Sequence, residues 1–206
     1  MTTKIRRTGI AAIALGATLG LAACGSNDSS STASPGGDMS MSTGTEAAAQ
    51  TFGSACSAVP TSGPGSFNGM ATAPVASAAS ANPVLSTLVT AVKKAGLVDT
   101  LNSQEAITVF APTNDAFAAL PPKTLESVLA DKQTLTKILT YHVVAGKITP
   151  DQLAGTHKTL EGDSLKISGS GDSFTVGAQK AQVVCGNVPT ANATVYIVDS
   201  VLMPKM

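Results

Sequence analysis

Apolar residues are distributed unevenly along the 206-residue chain and divide it into three segments. An uninterrupted run of apolar and small residues covers positions 10–20, whereas positions 25–51 contain almost no large apolar side chain. From Phe52 onward, large apolar residues recur at regular spacings. We therefore predict an export signal over residues 1–23, a flexible tether over 24–51 and one domain over 52–206. The roughly 155 residues of this domain are enough to bury about 70% of the unfolded surface.

Helical spacing is clearest after position 82. Asn82 and Pro83 have the form of an N-cap followed by proline at the first helical position. Apolar residues then follow with helical periodicity at Val84, Leu88, Val92 and Ala95, and Gly96 suits the C-terminal end. Further helices are predicted after a capping Thr113, over residues 124–130 and over 133–140, the last one following Asp131.

Strand patterns dominate the second half of the domain. One strand is predicted at residues 108–111, ending at Pro112, and six more at 141–144, 158–160, 164–168, 173–176, 181–184 and 194–199. Gly171-Asp172 separates two alternating runs, which is typical of a hairpin turn. Helices that come first and strands that come later predict an α+β fold.

The apolar run at 10–20 has the features of a signal peptide. It is shorter than the roughly 20 apolar residues that a membrane-spanning helix needs. It follows three basic residues, Lys4, Arg6 and Arg7, as the apolar region of an export signal does. We therefore expect this segment to be removed during export.

The end of that run resembles the lipobox of bacterial lipoproteins. The residues are Leu21-Ala22-Ala23-Cys24-Gly25, and in a lipobox the cysteine receives diacylglycerol before cleavage. The resemblance implies a lipid on Cys24 that holds the protein on the extracytoplasmic face of the cell membrane. The alternative is an ordinary cleaved secretory signal with an unrelated cysteine.

The chain has three cysteines. With a lipid on Cys24, Cys56 and Cys185 remain as an even pair in an exported chain, where such pairs form disulfides. We therefore predict a disulfide between Cys56 and Cys185, which would stabilise the domain by at most roughly 5 kcal/mol. The alternative is two separate buried thiols.

Removal of the signal changes the charge balance. The whole chain has 13 basic and 13 acidic residues. Without residues 1–23 the chain keeps ten lysines, no arginine and all 13 acidic residues. Nucleic-acid binding normally requires a basic surface with arginine and, for single strands, aromatic platforms. Aromatic residues make up only 3% of this chain and tryptophan is absent, so nucleic acid is not an expected partner.

Three segments together resemble the fasciclin domain family. They are residues 108–117 (TVFAPTNDAF), residues 141–144 (YHVV) and residues 193–204 (ATVYIVDSVLMP), here called the first, central and closing boxes. The resemblance runs from about residue 70 to the C terminus. Within the family, the chain is most similar to the mycobacterial and actinobacterial surface lipoprotein antigens that carry one fasciclin domain, because the lipobox, the tether and the cysteine pair also match them.

This resemblance implies a wedge-shaped β-sandwich with helices packed around it. It also implies a cell-surface lipoprotein that mediates adhesion, or contact with an extracellular or host-surface protein. The alternative is an extracytoplasmic binding module for a small apolar or glycan ligand, held in a groove between the sheet and the helices. Such a groove requires a concave apolar surface with a few polar groups.

Four residues are candidates for an interaction site. In the family, the tyrosine–histidine motif is associated with adhesion, and this implies a contact role for Tyr141 and His142, with Asn114 and Asp115 of the first box beside them. The alternative is structural: His142 points inward and bonds the turn around Asn114 and Asp115, because a buried imidazole without partners costs a few kcal/mol. Asp115 is then a turn or helix N-terminal carboxylate.

Catalysis is not predicted. The two histidines, His142 and His157, lie too far apart for an HExxH-type metal motif, and neither a GxSxG motif nor a P-loop occurs. We expect His157 to be a solvated loop residue. No catalytic residue, metal ligand or cofactor is therefore assigned. We interpret the glycosylation-type sequons at Asn27 and Asn192 as coincidental in a bacterial export context.

Overall fold

The computed structural model describes residues 50–204. The predicted signal peptide, Cys24 and nearly all of the predicted tether lie outside the described residues. Within residues 50–204 the chain forms seven strands, eight α-helices and two short 3-10 helices, at Ser54–Ala58 and Pro83–Leu85.

The α-helices come mainly from the first half of the described chain. They are α1 Phe67–Ala71, α2 Val75–Ala81, α3 Ser86–Ala95, α4 Val98–Ser103, α5 Asn114–Ala118, α6 Pro122–Ala130, α7 Lys132–Tyr141 and α8 Pro150–Leu153. The strands are β1 Ile107–Pro112, β2 Val143–Ala145, β3 Gly155–Lys158, β4 Ser164–Ser170, β5 Ser173–Val176, β6 Ala181–Pro189 and β7 Ala193–Val198.

The helix predicted after Asn82 forms because its ends and its apolar stripe agree. The Asn82 side chain accepts a hydrogen bond from Val84 N at 3.1 Å and starts the 3-10 helix that leads into α3. Leu88, Val92 and other apolar residues of α3 are buried along one side. Gly96 ends the helix in the left-handed conformation, with φ of 75°.

Helix α7 begins at a side-chain cap in the same way. Asp131 accepts hydrogen bonds from Gln133 N at 2.9 Å and from the Thr134 hydroxyl at 2.6 Å. These hydrogen bonds lower the pKa of the Asp131 carboxyl, the bond from Thr134 most of all. The helix then buries Leu135, Ile138 and Leu139 against the rest of the domain.

The seven strands form one mixed sheet in the order β2-β1-β7-β6-β5-β4-β3. Strands β1 and β7 are parallel, from Ile107 opposite Ala193 to Pro112 opposite Val198. The other neighbouring strands are antiparallel. A bridge between Val144 and Thr159 joins the two ends of the sheet, so the sheet folds back on itself. The predicted α+β fold, a β-sandwich with helices packed around it, is thus confirmed. The two layers of the sandwich belong to one sheet, because β6 pairs with β5 on one side and with β7 on the other.

The sheet separates two hydrophobic cores. Side chains alternate across a strand, so β1 and β7 contribute to both cores. Phe110 and Tyr196 lie in the core inside the folded sheet. Val109 and Val195 lie in the larger core between the sheet and the helices. Both strands are buried on both faces, and such strands read as nearly continuous apolar runs.

The N-terminal strap, which we define as residues 50–58, is attached to β6. Phe52 pairs with Gly186 in an isolated antiparallel bridge, and Cys56 and Cys185 form a disulfide. The ring of Phe52 occupies the space that a Cβ at position 186 would need. Its centroid lies 5.7 Å from that of Phe174 and 6.3 Å from that of Tyr196. The strap therefore covers one side of the core inside the folded sheet, which we call the inner core.

Three local predictions were wrong. Tyr141 ends α7 and is not part of a strand, because the helical hydrogen bonds continue to His142 N, which donates to Ile138 O and Leu139 O. The strand predicted at 158–160 lies earlier, at Gly155–Lys158. His157 is consequently a strand residue and not a loop residue, and its Nε2 lies 2.9 Å from Leu153 O.

No single helix within residues 50–204 is long and apolar enough to cross a membrane. Taken together, the helical segments Val75–Ala81 and Pro83–Ala95 are long and apolar enough by length and composition alone, but they meet at a bend of 107°.

Replacement of both Cys56 and Cys185 by serine is expected to lower the free energy of unfolding by about 3–5 kcal/mol, because the disulfide restricts the unfolded chain. The two cysteines are 129 residues apart in sequence. Urea unfolding of the oxidised wild type and the double variant measures the difference, and the reduced wild type should match the variant. Alkylation of two free thiols in the unreduced native protein would contradict the bond.

Candidate functional site

The central box lies at the junction of α7 and β2 and is buried. His142 is 2% exposed and Tyr141 is 7% exposed. The carbonyl of His142 accepts a hydrogen bond from Phe110 N at 2.8 Å, which ties the junction to β1. Neither side chain presents a substantial surface to a partner protein.

Both ring nitrogens of His142 are hydrogen-bonded to the backbone. Nδ1 lies 2.7 Å from Ile138 O, and Nε2 accepts from Leu202 N at 3.0 Å. A carbonyl can only accept and an amide N–H can only donate, so we assign the proton to Nδ1 and a lone pair to Nε2. The imidazole thereby fastens the end of α7 to the segment that follows β7.

This environment keeps His142 neutral. Burial lowers its pKa to about 4, and the hydrogen bond at Ile138 O opposes this shift only in part. Protonation would place a hydrogen on Nε2 and so break the hydrogen bond that Nε2 accepts from Leu202 N. The expected bonds to the turn around Asn114 and Asp115 are not formed; the partners of His142 are Ile138 and Leu202.

Tyr141 projects into the inner core. Its hydroxyl has a raised pKa, mainly because of burial and also because of the negative charges of Asp163 and Glu161. The phenol therefore stays protonated at neutral pH.

Asn114 binds the start of α3. Its Oδ1 accepts from Thr87 N at 2.9 Å and from the Ser86 hydroxyl at 3.2 Å, and its Nδ2 donates to Pro83 O at 2.9 Å. The Asn114 amide, which belongs to α5, thus pairs backbone groups at the start of a different helix, α3. This role in holding α5 against α3 does not follow from the local sequence around Asn114.

Asp115 is the one exposed residue of the four predicted contact residues. It lies in the first turn of α5, after Thr113, whose hydroxyl accepts from Ala116 N at 3.2 Å and caps the helix as predicted. Beside Asp115 is a surface hollow of about 180 Å³. The apolar side chains that line the hollow include Ala55, Ala58 and Val84. The structure thus separates Asp115 from the buried pair Tyr141 and His142.

Asn192 is a further key residue that the sequence reasoning missed. Its Oδ1 accepts from Val75 N at 2.8 Å, and its Nδ2 donates to Leu101 O at 2.8 Å and to Gln104 O at 2.7 Å. One side chain therefore joins the start of α2 and the end of α4 to the turn between β6 and β7. The sequence signal was its place between two predicted strands, which is typical of a turn, but its distant partners leave no local pattern.

Three of the four histidine ring nitrogens among the described residues are hydrogen-bonded to the backbone. Within residues 50–204 there is no group of three or more histidine, cysteine, aspartate or glutamate side chains placed to bind a metal ion. Neither ring nitrogen of His142 is available as a base, and Nε2 of His157 is engaged by Leu153 O.

Comparison with protein families gives one match. The sequence profile of the fasciclin domain matches residues 83–204. The matched segment contains the first, central and closing boxes, together with β1 to β7. It leaves out α1, α2 and the N-terminal strap, which the structure nevertheless packs against the matched part.

Several known proteins are similar in sequence. The immunogenic protein MPB70 of Mycobacterium bovis is 53% identical over 147 residues, which are 69% of this chain and 75% of that protein. The cell surface glycolipoprotein MPB83 of Mycobacterium bovis is 52% identical over 147 residues, 69% of this chain and 66% of that protein. A Synechocystis protein, sll1483, is 46% identical over 131 residues, 62% of this chain and 72% of its own length.

A solved structure is also similar. It is a FAS1 domain pair from the insect cell adhesion molecule fasciclin I, with a TM-score of 0.48 and 21% sequence identity over 58% of this chain and 45% of that one. The family relationship rests on the sequence matches.

The pH dependence of stability should reveal the buried neutral imidazole. Because folding lowers the pKa of His142 from 6.5 to about 4, the unfolded chain binds more protons between these values, and stability falls as the pH drops through this range. The free energy of unfolding of His142→Ala should lie about 1–3 kcal/mol below that of the wild type above pH 6.5. The gap should shrink towards pH 4. Urea unfolding of both proteins in pH steps measures the gap, and a gap that does not change with pH would contradict this assignment.

Asn192→Asp should lower the free energy of unfolding by about 1–3 kcal/mol. The carboxylate still accepts from Val75 N, but it cannot donate to Leu101 O and Gln104 O. Asn187→Asp is a matched control, because it makes the same chemical change and also removes an Nδ2 hydrogen bond, to Gln50 O at 2.9 Å, but at an exposed position. We expect it to cost less stability. Thermal melts of both variants at neutral pH test the difference, and equal melting temperatures would exclude a special role for Asn192.

Proposed function

Because this chain belongs to the fasciclin domain family, we propose that it is a non-enzymatic surface protein that binds an extracellular or host-surface protein. The observation that carries this proposal is the 52% identity to a protein named for its place on the cell surface, the glycolipoprotein MPB83. The resemblance of residues 21–25 to a lipobox supports the same location, with a lipid on Cys24 as the attachment to the membrane.

The geometry favours binding over catalysis. A hydroxyl nucleophile needs a base within hydrogen-bond reach, and His142 has neither an accessible surface nor a free lone pair. Its pKa of about 4 reflects a structural environment in which both nitrogens are paired. A surface protein that acts by contact needs no such group.

The contact surface of this proposal is centred on Asp115. The other three candidate residues hold the domain together: His142 fastens α7, Tyr141 fills the inner core and Asn114 binds the start of α3. Asp115 combines an exposed charge with a neighbouring hollow of about 180 Å³, bordered by the strap and α5. Such a surface gives a partner one polar contact that fixes orientation and a small apolar recess that excludes water.

We expect Asp115→Asn to weaken the binding of the protein to host cells and to extracellular-matrix proteins by about tenfold, which corresponds to the loss of one charge-assisted hydrogen bond. The full chain carrying Cys24→Ser, so that no lipid contributes, is titrated onto cultured macrophages and onto surfaces coated with fibronectin, laminin or collagen.

Asp172→Asn is the matched control, since Asp172 is an exposed carboxylate in the turn between β4 and β5 and does not line the hollow beside Asp115. Both variants should melt like the wild type. Saturable binding that Asp115→Asn and Asp172→Asn reduce equally would place the contact elsewhere. An absence of saturable binding by the wild type to every surface would count against adhesion itself.

A further inference from the structure

A cavity lies beneath α2, in the core between the helices and the sheet. It has a volume of about 40 Å³ and is lined by α2, α3, α4, α7, β1 and the start of β2. Helix α2 has the sequence VASAASA, so most of its side chains are too small to fill the space between it and β1. The cavity exists because a helix of small residues packs over a sheet of larger ones.

A second cavity of about 30 Å³ adjoins the first. Val75, Ala79, Leu88 and Val109 line both cavities. Ala79 of α2 is the smallest of the four. The shared lining places the side chains of Val75, Leu88 and Val109 where a change of rotamer alters the shape of both cavities.

The first cavity offers almost nothing for a polar ligand to bind. Two polar side chains line it, Ser80 and His142. The Ser80 hydroxyl donates to Ala76 O at 2.7 Å, and both nitrogens of His142 are paired with the backbone. Apolar cavities of this kind stay free of water and accept hydrocarbon groups.

The part of the cavity lining that reaches solvent is mostly aliphatic, with the exposed Ser80 as its one polar residue. Val89, Val98 and Leu101 line the cavity and are each only partly buried. A ligand that enters between α3 and α4 therefore meets aliphatic side chains first, and any polar group at its other end can remain in water.

We propose that the two cavities form a binding site for the methyl end of a linear alkyl chain, a site that does not depend on adhesion. A water-sized group requires about 10–15 Å³, so the first cavity holds roughly three or four such groups and the second roughly two or three. A benzene ring occupies an engineered cavity of about 150 Å³, so rings do not fit. A chain that threads past Val75 and Ala79 fills both spaces.

The test uses 1-octanol as the linear probe and cyclooctanol as the ring-shaped probe with the same number of carbons. The full chain with Cys24→Ser is studied by methyl-resolved NMR, which follows the valine and leucine methyl groups. We expect 1-octanol to shift the resonances of Val75, Leu88, Val89 and Leu101 in a saturable way and to raise the melting temperature. Cyclooctanol should do neither.

Ala79→Leu fills the wall between the cavities and should weaken binding of 1-octanol by about tenfold or more. Ala81→Leu is the matched control, because Ala81 ends the same helix, is exposed and lines neither cavity. It should bind like the wild type. Leu101→Ala removes aliphatic surface at the edge of the first cavity and should also weaken binding of 1-octanol. It takes the place of Ala79→Leu in the test if that variant does not fold.

Three results would overturn the proposal. They are an absence of saturable shifts in the wild type, equal effects of 1-octanol and cyclooctanol, and unaltered binding by a folded Ala79→Leu variant. None of these outcomes bears on binding at Asp115, which lies at the separate hollow bordered by the strap.

Discussion

The parallel pairing of β1 with β7 is the interaction on which the rest of this structure depends. Ile107–Pro112 and Ala193–Val198 run side by side over their whole lengths, although 80 residues lie between the two strands in sequence. Parallel neighbours cannot be joined by a tight turn and need a long crossover. Here that crossover contains five strands and four helices, and the pair lies between two cores, with Phe110 and Tyr196 on one side and Val109 and Val195 on the other.

The same pairing explains why the three family boxes are where they are. The first box contains β1 and the closing box contains β7 and the segment after it. The central box connects to both, because the carbonyl of His142 accepts from Phe110 N and its Nε2 accepts from Leu202 N. His142 thus connects α7, β1 and the segment after β7, which are distant in sequence. These contacts give the central box a structural role within the domain.

Local patterns predicted much of the fold and little of the site. Asn82, Thr113 and Asp131 act as caps where the sequence places them, and the turn at Gly171-Asp172 joins β4 and β5. Each of these features depends on neighbours within a few residues. By contrast, the side chains of Asn114 and Asn192 bind backbone groups 27 and 117 residues away, respectively. The inward direction of Tyr141 depends on where α7 ends, and the helical hydrogen bonds continue past the residue at which a strand was predicted to begin.

The disulfide determines how the domain would respond to mechanical force. Strand β6, which carries Cys185, is the fourth of the seven strands in the sheet. Tension applied from the N-terminal side can straighten the strap only as far as Cys56 before it reaches this central strand through a covalent bond. Residues 57–184 then lie within a closed covalent loop that cannot be pulled out from that end. Force applied from the N-terminal side is therefore carried by the whole sheet and does not unravel the domain residue by residue.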